Sequence, residues 1–228
     1  MHNEVGAERG ERIRLMMVDD HPIVREGMAL FLNAQPDLDL CYQAGSAEEA
    51  LALLEREQAR PALVIVDIQL HRDSGLELIR TLRRRDPALA LLAMSLHEES
   101  VFAERALRAG ARGYLMKQEA TGNILLAIRK VLAGEIYLSA AMHGRLTRGA
   151  GPPAAPADGP LAGLSEREFE VLHLLALGFG TRQISEKLQR SIKTIEAHRA
   201  SLKEKLKLAS GAELVRFALR WLDERPPD

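Results

Sequence analysis

Between residues 13 and 134, short continuous apolar runs alternate with segments whose apolar residues recur every three or four positions. The runs IRLMMV (13–18), LDLCY (38–42), ALVIV (62–66), ALLAM (90–94) and GYLM (113–116) have the length and Val/Ile/Leu content of strands buried on both faces of a parallel sheet. The segments between and after them, 22–34, 46–57, 75–85, 99–109 and 121–133, have the amphipathic spacing of helices. Gly110, Gly113 and Gly134 follow helical patterns, as helix stops do. A strand followed by a helix, five times over, predicts an α/β domain: a doubly wound five-stranded parallel sheet with helices on both faces.

Beyond residue 134 the pattern changes. The stretch TRGAGPPAAPADGPLAG (147–163) is built from Pro, Gly and Ala with almost no large apolar residue, so it buries little and reads as a semi-extended tether. After it all is helical. Ser165 and Glu168 form a capping-box pattern, and helices fit 166–177, 181–188, 192–206 and 211–222. The predicted organisation is a disordered extension (1–12), the α/β domain (13–134), a connecting segment and tether (135–160) and an all-α four-helix domain (161–228).

Composition adds bounds. At 228 residues, 46% hydrophobic and 28% charged, the chain can bury two cores. It has no run of about 18 apolar residues and an N-terminus too polar for a signal-peptide core, so the expectation is a cytoplasmic protein without membrane association. The lone Cys41 has no disulfide partner and is expected to be a core thiol. The net charge of −1 hides an uneven distribution. Between Arg182 and Lys207, eight Lys/Arg face three Glu, a local +5 that suits either a solvated helix face or a polyanion site.

In LVIVDIQL (63–70), Asp67 stands in an otherwise apolar run, where a charge without a partner is costly to desolvate. Ligand sites in doubly wound sheets lie at the carboxyl ends of the strands, and four of the five runs end in polar residues: Asp19 and Asp20, Asp67, Ser95 and Lys117. If strands one and three are neighbours, three carboxylates converge and need a cation; Mg2+, which prefers hard oxygen ligands and keeps positions for water and phosphate oxygens, suits them. Lys117 offers a point charge and Ser95 a rotatable hydroxyl, both useful around a phosphoryl group, for which the Asp67 carboxylate is the candidate nucleophile.

These residues resemble the hallmark of two-component response regulators: an acidic pair after strand one, a phosphorylated Asp after strand three with Gly eight positions on, Ser/Thr after strand four and Lys after strand five. Here they are Asp19 and Asp20, Asp67 and Gly75, Ser95, and Lys117, with Tyr114 at the family's aromatic switch position. Residues 164–208 are similar to the LuxR-type helix-turn-helix, which points to the NarL/FixJ subfamily. The resemblance implies a flavodoxin-like receiver domain in which Asp67 is the phosphoacceptor. It implies that Asp20, Asp67 and the Gln69 carbonyl bind Mg2+, that Asp19 holds a metal-bound water, and that Ser95 and Lys117 grip the phosphoryl oxygens. It also implies a sensor histidine kinase as phosphoryl donor, promoter DNA as target and a homodimer in the phosphorylated state. Two positions depart from the family pattern: His71 stands where Pro is usual and could loosen the Asp67 loop, and Leu96 stands where a small residue is commonest and could narrow access.

In the second domain, Ser191 is a predicted cap of a helix whose Ile195, Leu202 and Leu206 have core spacing, with Lys193, Glu196, Ala197, Ala200 and Lys203 on the opposite face. The resemblance makes this the recognition helix and 181–188, with Arg182, its scaffold. Lys193, Arg199 and Lys203 are expected at phosphates and Thr194 at phosphate or base. Glu196, where a basic residue is frequent, could accept from cytosine N4. His198 reads as packing or DNA contact. Leu214, Phe217, Ala218 and Trp221 form an apolar stripe expected to serve dimerisation.

A phosphotransferring enzyme of the haloacid-dehalogenase type would have a second Asp where Gln69 stands, so a non-enzymatic regulator is expected. The alternative is a signalling or scaffold protein whose output does not bind specific DNA. Because the tether reads as flexible, phosphorylation is expected to act by changing which surfaces the domains present, relieving a cover over the recognition helix or the Trp221 helix.

Overall fold

The structure, a computed structural model, describes residues 12–56, 60–70, 73–96, 99–139, 142, 161 and 163–223. The chain divides into two compact units, Met1–Gly144 and Arg145–Asp228.

The first unit runs β1 (Ile13–Val18), α1 (Pro22–Asn33), β2 (Leu38–Ala44), α2 (Ala47–Arg56), β3 (Leu63–Asp67), α3 (Gly75–Arg85), β4 (Ala90–Ser95), α4 (Glu99–Ala109), β5 (Gly113–Met116) and α5 (Ala120–Leu132). All pairings are parallel, in the order β2-β1-β3-β4-β5. Alternate side chains fill two cores. Leu15, Met17, Leu63, Ile65, Leu92 and Leu115 pack with Leu32, Ile124, Ile128 and Val131. Their neighbours Met16, Val18, Val64, Val66, Leu91 and Ala93 are equally buried toward the other face. This double burial is why the strands read as continuous apolar runs.

Two readings of the sequence change here. Cys41 is exposed. The register slips so that Leu15 pairs with Leu40 but Met16 with Tyr42, leaving Cys41 as the extra residue of a bulge in edge strand β2, turned outward. Gly110 and Gly134 take positive φ (110° and 81°) as helix stops, but Gly113 does not. It opens β5, where a Cβ would come within 2.8 Å of Leu92 Cδ1 and 2.9 Å of Val131 Cγ2, so close packing is what excludes a side chain.

The second unit packs α6 (Glu166–Ala176), α7 (Thr181–Lys187), α8 (Ile192–Lys205) and α9 (Gly211–Asp223) around Phe169, Leu172, Ile184, Ile195, Leu202, Leu214 and Ala218. The α7–α8 turn is tight. Gln189 adopts φ 50°, the Arg190 N–H donates to the Ser185 carbonyl (2.9 Å) and the Ser185 hydroxyl donates to the Arg190 carbonyl (2.7 Å). No helix among the described residues is long and apolar enough to cross a membrane.

Candidate phosphoacceptor and nucleic-acid sites

Adjacent strands β1 and β3 bring their ends together, as the carboxylate-cluster reading required. Asp19 is fully buried and Asp67 is 1% exposed. Lys117, the first residue after β5, reaches back so that Nζ lies 2.7 Å from Asp67 Oδ2 and 2.7 Å from Asp19 Oδ2. The other Asp67 oxygen accepts the Gln69 N–H (2.9 Å), which holds the turn after β3 against the carboxylate. Burial pushes the Asp67 carboxyl up to about 6, against the pull of Lys117 and with the Asp19 charge adding to the rise. Burial also opposes the Lys117 charge, but Asp67 and Asp19 outweigh it and hold the ammonium above its ordinary range.

Gly75 completes this turn. A Cβ there would lie 1.9 Å from the Asp67 carbonyl oxygen, so the helix after the loop starts directly against the backbone of Asp67. Ser74 caps it, its hydroxyl accepting the Glu77 N–H (3.3 Å). Ser95, fully buried, ends β4 beside β3: Asp67 pairs with Met94, and the Ile68 N–H donates to the Met94 carbonyl (2.9 Å).

The site contains two residues that the sequence reading left out. His21 Nδ1 lies 3.1 Å from Asp19 Oδ1 and 2.9 Å from Asp20 Oδ1, and one ligand atom each from Asp19, Asp20, His21 and Asp67 fall within 4.8 Å of one another. Its signal was its place directly after the acidic pair. Arg25 is the other omission: its guanidinium donates to the Asp19 carbonyl and steadies the turn between β1 and α1. Leu96 is 52% exposed beside Ser95, whereas His71 lies outside the described residues. Tyr114, at the family's aromatic switch position, is buried (1% exposed).

In the second unit, Ser191 caps α8 by accepting the Thr194 N–H (3.1 Å), and the two hydroxyls lie 2.8 Å apart. Ile195 and Leu202 face the core, while Lys193, Glu196, Ala197 and Ala200 are exposed and Lys203 is half-buried. Arg182 is exposed on α7. Arg199 donates to the Thr181 hydroxyl (2.5 Å), and with Thr181, Glu196, Lys203 and Gly211 it lines an open concavity of about 350 Å3. His198 is half-buried, and burial lowers its pKa. The apolar stripe is corrected at Leu214 and Ala218, which are fully buried in the four-helix core and offer no surface. Phe217 and Trp221 are partly buried, Trp221 standing edge-on to Phe169 (5.3 Å), and Leu219 is the large apolar residue of α9 that remains exposed, at 42%.

Residues 15–129 match the response regulator receiver domain family, and residues 162–218 match the bacterial regulatory proteins of the luxR family. The chain is 41% identical to the transcriptional activator protein ExaE of Pseudomonas putida over 205 residues, 90% of this chain and 95% of that protein. The chain belongs to the NarL/FixJ response regulators. The oxygen regulatory protein NreC of Staphylococcus carnosus is 32% identical over 213 residues, 91% of this response regulator and 97% of NreC. A two-component response regulator of the LuxR family from Aurantimonas sp. SI85-9A1 superimposes with a TM-score of 0.56 at 33% identity, covering 61% of this chain and 99% of that one. RcsB from Salmonella enterica serovar Typhimurium, bound to promoter rprA, superimposes with a TM-score of 0.57 over 91% of this chain and 98% of its own, at 23% identity, which speaks for the fold alone. This response regulator is a transcription regulator with a receiver and a LuxR-type DNA-binding domain.

Proposed function

We propose that Asp67 accepts a phosphoryl group from a sensor histidine kinase, and that the C-terminal unit, released by that event, binds promoter DNA as a dimer. The observation that carries this reading is the Asp67 carboxylate held at a strand end between Lys117 and the Gln69 amide, with Asp19 and Asp20 beside it. A carboxylate oxygen of Asp67 attacks phosphorus, the bond from phosphorus to the donor's imidazole nitrogen breaks, and an acyl phosphate results. The Lys117 ammonium lies where negative charge accumulates on the phosphoryl oxygens, and the Ser95 hydroxyl is a donor at the neighbouring strand end.

Three carboxylates with one ammonium leave negative charge in excess, and the carboxylate oxygens of Asp19, Asp20 and Asp67, with the His21 nitrogen beside them, offer a hard divalent cation mainly oxygen donors. Asp20, Asp67 and the Gln69 carbonyl would hold Mg2+, with Asp19 placed to hold a bound water; the ion supplies charge neutralisation at the phosphoryl oxygens. At the output, Lys193, Arg199 and Lys203 meet phosphates, Arg182 and Ser191 flank them, and Thr194, Glu196 and Ala197 face base edges. Phe217 and Trp221 form the dimer stripe. Incubation with acetyl phosphate and Mg2+ should add one phosphoryl group by intact mass, and Asp67→Asn should add none. A persistent adduct in that variant would remove Asp67 from the role.

A further inference from the structure

The packed first unit does not stop at α5. After Gly134 the chain turns back along the open edge of β5, where Tyr137 forms a parallel bridge with Gly113. Its N–H donates to the Arg112 carbonyl (2.9 Å) and its carbonyl accepts the Tyr114 N–H (3.0 Å). The bareness of Gly113 allows this approach, since a Cβ there would lie 3.1 Å from Tyr137 Cβ. Tyr137 and Leu138 are buried to 8% and 6% exposure. One side chain fastens the end of the segment: the Ser139 N–H donates to Glu99 Oε1 at 2.7 Å. Glu99, the first residue of α4, is itself only 9% exposed, so its carboxylate depends on such donors to offset desolvation.

That clasp joins two parts of the machine. Glu99 follows Ser95 by four residues, at the start of the helix that leaves the phosphoryl site, and Ser139 lies on the chain that leaves the receiver. We propose that residues 135–139 form a releasable sixth strand, that Glu99 is the positioning residue that locks it, and that phosphorylation opens the lock. The proposal rests on the reading of Asp67 as phosphoacceptor. Its direction follows from the sheet order, in which β4 stands between β3 and β5. A phosphoryl group on Asp67 places three new acceptor oxygens at the end of β3 and draws the Ser95 hydroxyl toward them. The start of α4 follows in the same sense, away from the β5 edge where Ser139 sits. A bond of 2.7 Å has little slack, and an added ångström removes it. Among the described residues the Gly113–Tyr137 bridge then remains, and release of five residues adds about 17 Å to the reach of the chain that follows.

The test is amide hydrogen exchange in the full chain. In the unphosphorylated protein the Tyr137 and Ser139 amides should be protected. With acetyl phosphate and Mg2+, and with the adduct verified by intact mass, both should exchange about tenfold faster or more, the scale of one lost charge-assisted hydrogen bond, while β1 and β3 amides stay unchanged. Glu99→Ala should deprotect Ser139 without phosphate and leave phosphorylation little to add, whereas Glu99→Gln, which keeps an acceptor oxygen, should stay near wild type. An adduct that leaves Tyr137 and Ser139 fully protected overturns the proposal, as does wild-type protection of Ser139 in Glu99→Ala. A chain that takes up no phosphoryl group fails the Asp67 reading instead, and the clasp still stands or falls on the two Glu99 variants.

Discussion

The Asp67 carboxylate is useful because it is uncomfortable. Burial lifts its pKa from the ordinary 3.8 to about 6, and Lys117 offsets only part of that. The folded chain therefore holds the Asp67 proton more tightly than the unfolded chain does. The stability linked to that proton is complete below about pH 4 and is lost as pH rises through 6. Asp67→Asn carries no charge at any pH, so its stability relative to wild type should grow by up to about 3 kcal/mol between pH 4 and pH 7. Urea melts of both proteins in EDTA, followed by far-ultraviolet circular dichroism, measure this. A difference independent of pH would show that Asp67 ionisation costs the fold nothing. The same discomfort explains why Asp67 was legible in the sequence: a charge in an apolar run needs a reason, and the strand-end residues Asp19, Ser95 and Lys117 supplied it. His21 was not legible in this way, because a histidine beside an acidic pair has no periodicity to violate and only the turn into α1 aims its ring at Asp20.

Among the elements, α6 is anchored by one side chain. Glu168 accepts the Ser165 N–H (2.7 Å) in a capping box, and also the Ser201 hydroxyl (2.5 Å) and the Lys205 ammonium (2.7 Å) from α8. Burial alone would raise its pKa, yet Lys205, Ser201 and Ser165 together bring it down to about 2. The sign is opposite to that of Asp67: this stability is present above the ordinary 4.5 and is lost as pH falls toward 2. Glu168→Ala should destabilise the second unit by about 3 kcal/mol at pH 7, and by less at pH 3. Trp221, the sole tryptophan, reports this unit by fluorescence. A loss that is the same at both pH values would make the role one of packing. The capping box was readable from Ser165 and Glu168, and strand and helix bounds follow the periodicity to within a residue or two, because each element buries the stripe or faces its pattern displays. What escaped were features made between elements. Cys41 is turned out by a bulge in the β1–β2 register, Gly113 is bare because of Leu92 and Val131, and Leu214 is taken into the core rather than left as surface. Tyr137 joins the sheet through its backbone, and no alternation in its short segment announces that.

At the scale of the whole molecule, two units with separate cores carry two chemistries, and the near-zero net charge conceals a local excess of Lys and Arg between Arg182 and Lys207. That surface should supply most of the DNA affinity through counterion release, with base contacts selecting the site. Lys203→Ala should weaken binding to all sequences alike and shallow the salt dependence by about one unit, as measured by titrations at several salt concentrations; an unchanged slope removes Lys203 from the phosphate contacts. On the proposed reading, phosphorylation makes this surface available. The Pro-, Gly- and Ala-rich composition of 147–163 suits no rigid rotation, so on that reading the expected coupling is a shift of population: an unphosphorylated chain poor at binding, and an acyl phosphate that shifts the balance. A ligand shifts such a balance only by its differential affinity for the two states, so the size of the effect is measurable as a ratio. The fragment 160–228, which contains all four output helices, should bind operator DNA without any phosphate and more tightly than the unphosphorylated full chain. The phosphorylated full chain should approach or exceed the fragment, because a two-fold dimer engages paired half-sites about one helical turn apart. If the full chain binds equally well with and without phosphate, and as well as the fragment, the receiver imposes no restraint and the coupling is of another kind.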